Sequence, residues 1–278
     1  PEATGYGAVY YAKRVLEHDG QDLKGKTVVV SGYGNVTWGA IKKLAELGAK
    51  PVTISGRAGY VYDAAGITTA EKIDYLLEMR ASGKNDVLEA YAKKFGAEFH
   101  PGEKPWGVKA DVYMPCATQN EVDMTEAKKI AASGSKYYLE VANMPTTNEA
   151  VAYLTEQGIT VAPSKAVNAG GVAVSGLEMS QNSQRYGWSA EEVDAKLKDI
   201  MENIFEAIDS AAEEYDRTRN LLLLGSTAAY AVLMLPTYHI PRISIAVTLG
   251  YIAAIYVILM TRKCGCAEEK TEAESFHL

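Results

Sequence analysis

A glycine pair between a β-branched run and a helical stretch is the clearest chemical signal in the chain. The pair lies in Gly32-Tyr33-Gly34-Asn35-Val36-Thr37. Glycine at the first position permits a tight turn, and glycine at the second lets a backbone approach a bound group. The N–H groups that open the following helix favour an anion. The pattern therefore predicts that Gly32, Gly34, Asn35 and Val36 bind a dinucleotide pyrophosphate. An ordinary tight turn is the alternative, and Thr37 replaces the usual third glycine or alanine.

The end of the next predicted strand indicates which dinucleotide is bound. In NAD-binding folds an acidic residue for the ribose 2′-hydroxyl follows about 20 residues after the glycine turn. Here the sequence has Ser55-Gly56-Arg57 and no acidic residue between Glu46 and Asp63. Serine and arginine donate hydrogen bonds that suit a 2′-phosphate. Ser55 and Arg57 therefore favour NADP over NAD as the cofactor, with a solvated loop arginine as the alternative.

Other reactive residue types form no such pattern. Cys116 has no base at a suggestive spacing, and the histidines are scattered at His18, His100, His239 and His277. The carboxylates are spread along predicted helices and form no evident acid–base pair. The sequence accordingly offers no catalytic residue and no set of metal ligands.

The elements that position these residues alternate between strands and helices. Short β-branched or apolar runs predict strands at 26–30, 52–55, 112–115, 137–141 and 160–162. Helical periodicity predicts helices at 5–18, 40–47, 71–81, 86–95, 127–132, 148–157 and 177–184. A capping box formed by Ser189 and Glu192 begins a long helix that ends near residue 215. This alternation predicts an α/β fold with a Rossmann-like, doubly wound, mostly parallel sheet over residues 1–219.

Composition and charge narrow the class of protein. The 278 residues are 47% hydrophobic and 23% charged, which excludes disordered and fibrous classes. The net charge of −7 argues against a nucleic-acid partner, because a phosphate backbone attracts a basic surface. The three cysteines, two of which are Cys264 and Cys266, form no disulfide framework. They favour a reducing compartment and hence a cytoplasmic location.

Four segments resemble the cofactor domain of a known enzyme family. They are GYGNVTWGAIKKLAELGAK, PCATQNE, ANMPTTNEA and VNAGGVAVSGLEMSQNS, and the resemblance covers about residues 1–220. The family is that of the hexameric bacterial glutamate dehydrogenases, within the Glu/Leu/Phe/Val dehydrogenases. The resemblance implies NAD(P)-dependent oxidative deamination of L-glutamate to 2-oxoglutarate and ammonia by a homo-oligomer.

The resemblance also implies roles for individual residues. On the cofactor side it implicates Thr4, Asn35, Ala117, Thr118, Gln119 and Asn143, with residues 117–119 beside the nicotinamide ribose. On the substrate side it implicates Val172 and Ser175, with Ser175 toward the side-chain carboxylate. Simpler alternatives are a helix N-cap for Thr4, a turn former for Asn143 and a loop hydroxyl for Ser175.

Two departures from the family pattern bear on activity. The family's catalytic lysine and aspartate belong to a substrate domain upstream of what is here Pro1, and the chain has no glycine-rich lysine segment of that kind. We therefore expect no turnover by this chain alone. Val141 replaces a family glycine, and a β-branched residue would strain a backbone of positive φ or obstruct the ribose. Ser164 replaces another glycine and is a milder change.

The C-terminal part departs further from the family. From Asn220 to Met260 the only fully charged side chain is Arg242, and residues 243–260 are long enough for a membrane-spanning helix. Residues 220–263 are predicted to form a hydrophobic helical hairpin with membrane contact, or else to be a fused or frameshifted end. Residues 264–278 form an acidic tail. Two rival functions stay open: a membrane-attached dinucleotide-binding module without catalysis, and a dehydrogenase of another amino acid.

Overall fold

The computed structural model describes residues 1–82 and 86–214, without the side chains of residues 213 and 214. Its helices are α1 (Ala3–His18), α2 (Asn35–Glu46), α3 (Ala70–Ser82), α4 (Val87–Phe95), α5 (Met124–Ala132), α6 (Asn148–Glu156), α7 (Ser164–Val167), α8 (Gly170–Gln184) and α9 (Ala190–Glu214). Its strands are β1 (Thr27–Val30), β2 (Lys50–Pro51), β3 (Thr53–Gly56), β4 (Gly59–Tyr62), β5 (Glu98–Pro101), β6 (Val112–Met114), β7 (Tyr137–Leu139) and β8 (Thr160–Ala162). Each predicted helix and strand has a counterpart among these elements.

Five of the strands form a wholly parallel sheet in the order β2-β1-β6-β7-β8. The chain passes from β1 to β2 on one side and later crosses to β6 on the other side of β1. The order therefore reverses at β1, and the carboxyl ends of β1 and β6 border the topological switch point, where open α/β sheets bind ligands. The predicted α/β fold with a parallel sheet is confirmed.

Both faces of the parallel sheet are buried. Val29, Tyr113, Tyr138 and Val161, one from each of four adjacent strands, pack in one hydrophobic cluster with residues of α5 and α6. Side chains alternate along a strand, so the equally buried Val28 and Val30 of β1 point to the opposite face. Right-handed crossovers run from β1 to β2 in one direction and from β6 through β7 to β8 in the other, which places α2 on one face and α5 and α6 on the other.

A second sheet contains β3, β4 and β5 in antiparallel pairing, and neither β4 nor β5 is among the predicted strands. Strand β3 continues from β2 and diverges from β1. The hydroxyl of Thr53 fills the gap, because it accepts a hydrogen bond from Val30 N–H at 3.0 Å and donates one to the Val30 carbonyl oxygen at 2.8 Å. This divergence carries the turn between β3 and β4 to the carboxyl end of β1.

Glycines let α1 pack closely on the amino ends of two other helices. A Cβ at Gly5 would lie 2.3 Å from the Ala40 amide nitrogen, and one at Gly170 would lie 2.4 Å from the Ala3 carbonyl oxygen. These contacts leave no room for a side chain at either position. Helix α8 begins at Gly170 and contains the glycine-rich stretch, so the predicted start at residue 177 is wrong.

The long helix α9 follows its predicted capping box. Glu192 N–H donates to Ser189 Oγ at 3.2 Å, and Ser189 N–H donates to Glu192 Oε2 at 2.7 Å. Within residues 1–82 and 86–214, no helix combines the length and the apolar character needed to cross a membrane. The predicted hairpin at 220–263 and the tail at 264–278 lie outside the described residues, so membrane contact gains no support from the structure.

Candidate functional site

A cleft of about 920 Å³, the switch-point cleft, opens at the carboxyl ends of β1 and β6. The predicted cofactor residues that line it are Gly32, Gly34, Asn35, Val36, Ser55, Arg57, Ala117 and Thr118. The other predicted site residues do not line it: Thr4, Gln119, Asn143, Val172 and Ser175. A cavity of about 870 Å³ at the amino ends of the strands contains none of the predicted site residues. The switch-point cleft is therefore the candidate site.

The first glycine of the turn is required by the fold itself. Gly32 has a φ of +80°, and a Cβ there would lie 2.7 Å from Thr37 Oγ1. Thr37 is buried, and its hydroxyl donates a hydrogen bond to the Ser31 carbonyl oxygen at 2.8 Å. Thr37, which replaces the usual third glycine or alanine, thus contributes a buried hydrogen bond that closes the turn.

The second glycine is not required by the fold. Gly34 has a φ of −80° and a ψ of −168°, an extended geometry open to any residue. No atom of the described protein outside its chain neighbours lies within 4 Å of a Cβ built on it. Helix α2 begins here without a side-chain cap, whereas Asp123 caps α5 and Thr147 caps α6. The open space and the uncapped N–H groups both fit a phosphate.

Two side chains of opposite charge lie at the β3 end of the cleft. Arg57 is exposed in the turn between β3 and β4 and has no hydrogen bond or ion pair with a described residue. Glu103 lines the same cleft, and Gly102 N–H donates to the Ala58 carbonyl oxygen at 2.9 Å beside it. Sequence reasoning missed Glu103 because it follows β5, far along the chain from the glycine turn.

Two of the predicted cofactor residues also hold neighbouring elements. The buried Ser55 accepts a hydrogen bond from Gly32 N–H at 2.9 Å through its hydroxyl oxygen, which ties β3 to the glycine turn. Asn35 accepts a hydrogen bond from Arg80 of α3 through Oδ1. Both side chains therefore shape the turn whether or not they touch a ligand.

The loop after β6 forms the opposite wall of the cleft. Ala117 and Thr118 are exposed there, and Ala117 Cα would lie 3.3 Å from a Cβ built on Gly32. Cys116 is buried, and burial raises the pKa of its thiol well above the usual range. The thiol therefore stays protonated at neutral pH, which makes it a poor nucleophile.

A second group of predicted residues gathers where α1 and α8 meet. A Cβ at Gly171 would lie 2.4 Å from Thr4 Oγ1. The N-cap of α1 is Glu2, so the N-cap alternative for Thr4 is wrong. Val172 is 54% exposed, and the exposed Ser175 donates its hydroxyl to the Gly171 carbonyl oxygen at 3.1 Å. Ser175 is thus a helical residue and not a loop hydroxyl.

The loop after β7 contains Asn143 and Val141. Asn143 Oδ1 accepts a hydrogen bond from Asn168 Nδ2 at 2.8 Å, and the positive φ of this loop, +47°, belongs to Met144. Val141 has no positive φ and is 1% exposed, and its N–H donates to the Pro115 carbonyl oxygen at 3.1 Å. The expected strain at Val141 is therefore absent, because its backbone suits a branched residue and its side chain lies in the core.

The parallel sheet has a glycine turn and an uncapped helix start at its switch point. This combination is typical of one class of protein, the dinucleotide-binding α/β domains. The model of the Glutamate/Leucine/Phenylalanine/Valine dehydrogenase family matches residues 1–234. The chain belongs to this family.

Individual relatives agree with the family match. The NAD-specific glutamate dehydrogenase of Clostridium symbiosum is 63% identical over 223 residues, which are 80% of this chain and 49% of that protein. The NADP-specific glutamate dehydrogenase of Haemophilus influenzae is 49% identical over 204 residues, which are 73% of this chain and 45% of that protein. A solved structure of a glutamate dehydrogenase is similar with a TM-score of 0.81 and 60% identity, over 84% of this chain and 52% of that one. The chain spans about half the length of the relatives it matches.

Proposed function

We propose that the chain is the dinucleotide-binding half of an NAD(P)-dependent glutamate dehydrogenase. Its reaction is the reversible oxidative deamination of L-glutamate to 2-oxoglutarate and ammonia. The proposal is carried by Gly34, which leaves open space beside uncapped N–H groups at the switch point. Family membership and relatives named glutamate dehydrogenases support it.

The proposal assigns each wall of the cleft to one part of the cofactor. A dinucleotide that crosses the carboxyl end of β1 places one nucleoside beside β3 and the other beside β6. The pyrophosphate then lies on Gly32, Gly34, Asn35 and Val36, the adenosine ribose beside Ser55 and Arg57, and the nicotinamide ribose toward Thr4, Ala117, Thr118, Gln119 and Asn143. The nicotinamide supplies the hydride acceptor when bound, and these residues bind and orient it.

The substrate side of the proposal rests on α8. Val172 and Ser175 are proposed to contact glutamate, with the Ser175 hydroxyl toward its side-chain carboxylate. A hydroxyl suits a carboxylate better than it suits the apolar side chain of another amino acid, which favours glutamate. We also propose that the whole protein is a homo-oligomer that acts in the cytoplasm.

Replacement of Gly34 by threonine tests the proposed cofactor site. Threonine is about as good an N-cap as glycine, so Gly34→Thr keeps the start of α2 while filling the open space. We expect calorimetric titration to show micromolar-range NADPH or NADH binding by the wild-type chain, and a loss of about tenfold or more in Gly34→Thr. Gly187→Thr is the control, because Gly187 also has no neighbour within 4 Å but lies between α8 and α9. Unchanged affinity in Gly34→Thr would contradict the site.

A further inference from the structure

Glu121 joins the two loops that form the walls of the switch-point cleft. Its Oε1 accepts hydrogen bonds from Ser31 Oγ at 2.9 Å, from Ala117 N–H at 3.1 Å and from Thr118 N–H at 3.3 Å. Ser31 directly follows β1, whereas Ala117 and Thr118 belong to the loop after β6. One carboxylate oxygen therefore ties the wall that carries the glycine turn to the opposite wall.

The hydroxyl of Ser31 makes an acceptor at position 121 necessary. Ser31 is fully buried, and its oxygen accepts hydrogen bonds from Cys116 N–H at 2.8 Å and from Ala117 N–H at 3.1 Å. A hydroxyl has two acceptor sites and one donor. Because both acceptor sites are occupied, its proton points to Glu121, and an apolar residue there would leave a buried donor unsatisfied.

The carboxyl group of Glu121 is itself costly to bury. Burial raises the pKa of Glu121, and the hydrogen bonds from Ser31, Ala117 and Thr118 together with nearby Lys104 offset only part of that effect. Lys104 Nζ also donates to the Glu121 carbonyl oxygen at 2.7 Å, which holds the residue from a third side. Glu121 is only partly buried, but its surroundings still disfavour its charged form, so its presence needs a reason beyond filling space.

The hydrogen bonds of Glu121 decide which groups the loop presents to the cleft. The N–H groups of residues 116–118 are used by Ser31 and Glu121, and Asn120 N–H donates to the Met144 carbonyl oxygen at 2.9 Å. Gln119 has no hydrogen bond with a described residue. This loop therefore offers a ligand the side chain of Thr118 in the cleft, and next to it in the chain the exposed side chain and N–H of Gln119, which lies outside the cleft lining.

We propose that Glu121 is a positioning residue for the nicotinamide half of the cofactor. It fixes the loop after β6 against Ser31, so that Ala117 stays beside Gly32 while Thr118 and Gln119 stay available to the ligand. The inference rests on the proposed function, because it takes the ligand to be a nicotinamide dinucleotide. If Glu121 had a purely structural role, its loss would lower the affinity for every ligand of the cleft alike. If it is a positioning residue, its loss lowers the affinity only for ligands that extend past the pyrophosphate to the nicotinamide.

Calorimetric titration of the full chain with NADPH, NADH and ADP separates these roles, since ADP covers only the adenosine and diphosphate half. Glu121→Leu removes the acceptor, and Glu121→Gln keeps an acceptor oxygen but loses the charge. We expect dinucleotide affinity to fall about tenfold or more in Glu121→Leu and less in Glu121→Gln, with ADP affinity kept within about twofold. Glu126→Gln is the control, because Glu126 is a buried carboxylate of α5 that pairs with Lys129 outside the cleft.

Each outcome decides between the roles. A parallel loss of ADP and dinucleotide affinity, or an unchanged ratio in both variants, would overturn the inference and leave the proposed function intact. If Glu121→Leu does not fold, the ratio in Glu121→Gln decides alone. A wild-type chain that binds none of the three ligands would overturn the proposed function and this inference with it.

Discussion

Arg57 and Glu103 bring opposite charges to the β3 end of the switch-point cleft. The guanidinium suits a 2′-phosphate, whereas a carboxylate suits the free ribose hydroxyls of NAD and repels a phosphate. The names of the relatives include both NAD-specific and NADP-specific enzymes, so family membership does not decide between the two cofactors. Single substitutions of Arg57 and Glu103 can therefore measure how each charge changes the ratio of NADPH to NADH affinity.

We predict that Arg57→Ala lowers the ratio of NADPH to NADH affinity about tenfold, because a charge-assisted contact to the 2′-phosphate is lost. Glu103→Gln should raise the same ratio, because a like charge is removed from the phosphate's surroundings. Titration calorimetry with both cofactors measures the ratio. Lys136→Ala, which removes an exposed cation at the amino ends of the strands, controls for net charge. An unchanged ratio in Arg57→Ala would contradict the prediction that Arg57 favours NADP.

At the scale of elements, Lys43 of α2 joins this helix to α1 and α9. Its side chain is 2% exposed, and its Nζ lies 2.9 Å from the Glu46 carboxylate and 3.0 Å from the Asp194 carboxylate. The ring centroid of Tyr6 lies 4.2 Å from the same nitrogen. Burial alone would lower the pKa of Lys43, but its hydrogen bonds with Glu46, Tyr10 and Asp194 outweigh that effect and raise it. The buried ammonium is thus charged and paired, and it holds the amino end of α9.

We predict that Lys43→Ala lowers the free energy of unfolding by about 2 kcal/mol, because it removes a buried alkyl stem and the contact with the Tyr6 ring. The ion pairs add little to this loss, because the Glu46 and Asp194 side chains are 56% and 30% exposed and water solvates them once the ammonium is gone. Lys42→Ala, at the adjacent and less buried position, should cost less than about 1 kcal/mol. Urea unfolding followed by circular dichroism measures both. Equal effects of the two substitutions would contradict the role of Lys43.

At the scale of the whole molecule, the proposed function gives this chain the cofactor side of the reaction. We predict no measurable glutamate oxidation by the 278-residue chain alone, even with cofactor bound. The family resemblance assigns a catalytic lysine and aspartate to a substrate domain, this chain spans about half the length of its relatives, and general acid–base help contributes about 10²–10⁴-fold. A 340 nm assay with glutamate and saturating NADP or NAD measures the rate, and addition of a separately expressed substrate domain should restore it. Turnover by the chain alone that disappears in Ser175→Ala would show that catalytic residues have been misplaced.

The sequence by itself determined the features that depend on neighbouring residues. The β-branched run before Gly32, the helical periodicity after it and the Ser189 capping box are local patterns, and the elements they predict are confirmed. The alternation of these elements was enough to predict a parallel α/β sheet, because parallel strands need a crossover between them. That the glycine turn lies at the switch point depends on the strand order, which these local patterns do not contain.

Only the tertiary structure decided the contacts between distant parts of the chain. Glycine lowers helix propensity, so the sequence predicts a loop at Gly170, but close approach to α1 makes that glycine helical. Three features join residues that are too far apart in the chain for any local pattern to connect them. They are the pairing of β4 with β5, the placement of Glu103 in the cleft, and the hydrogen bond between Ser31 and Glu121. Local propensity is set by a residue and its neighbours, whereas the cost of burying Lys43, or of partly burying Glu121, is set by partners that folding brings to them.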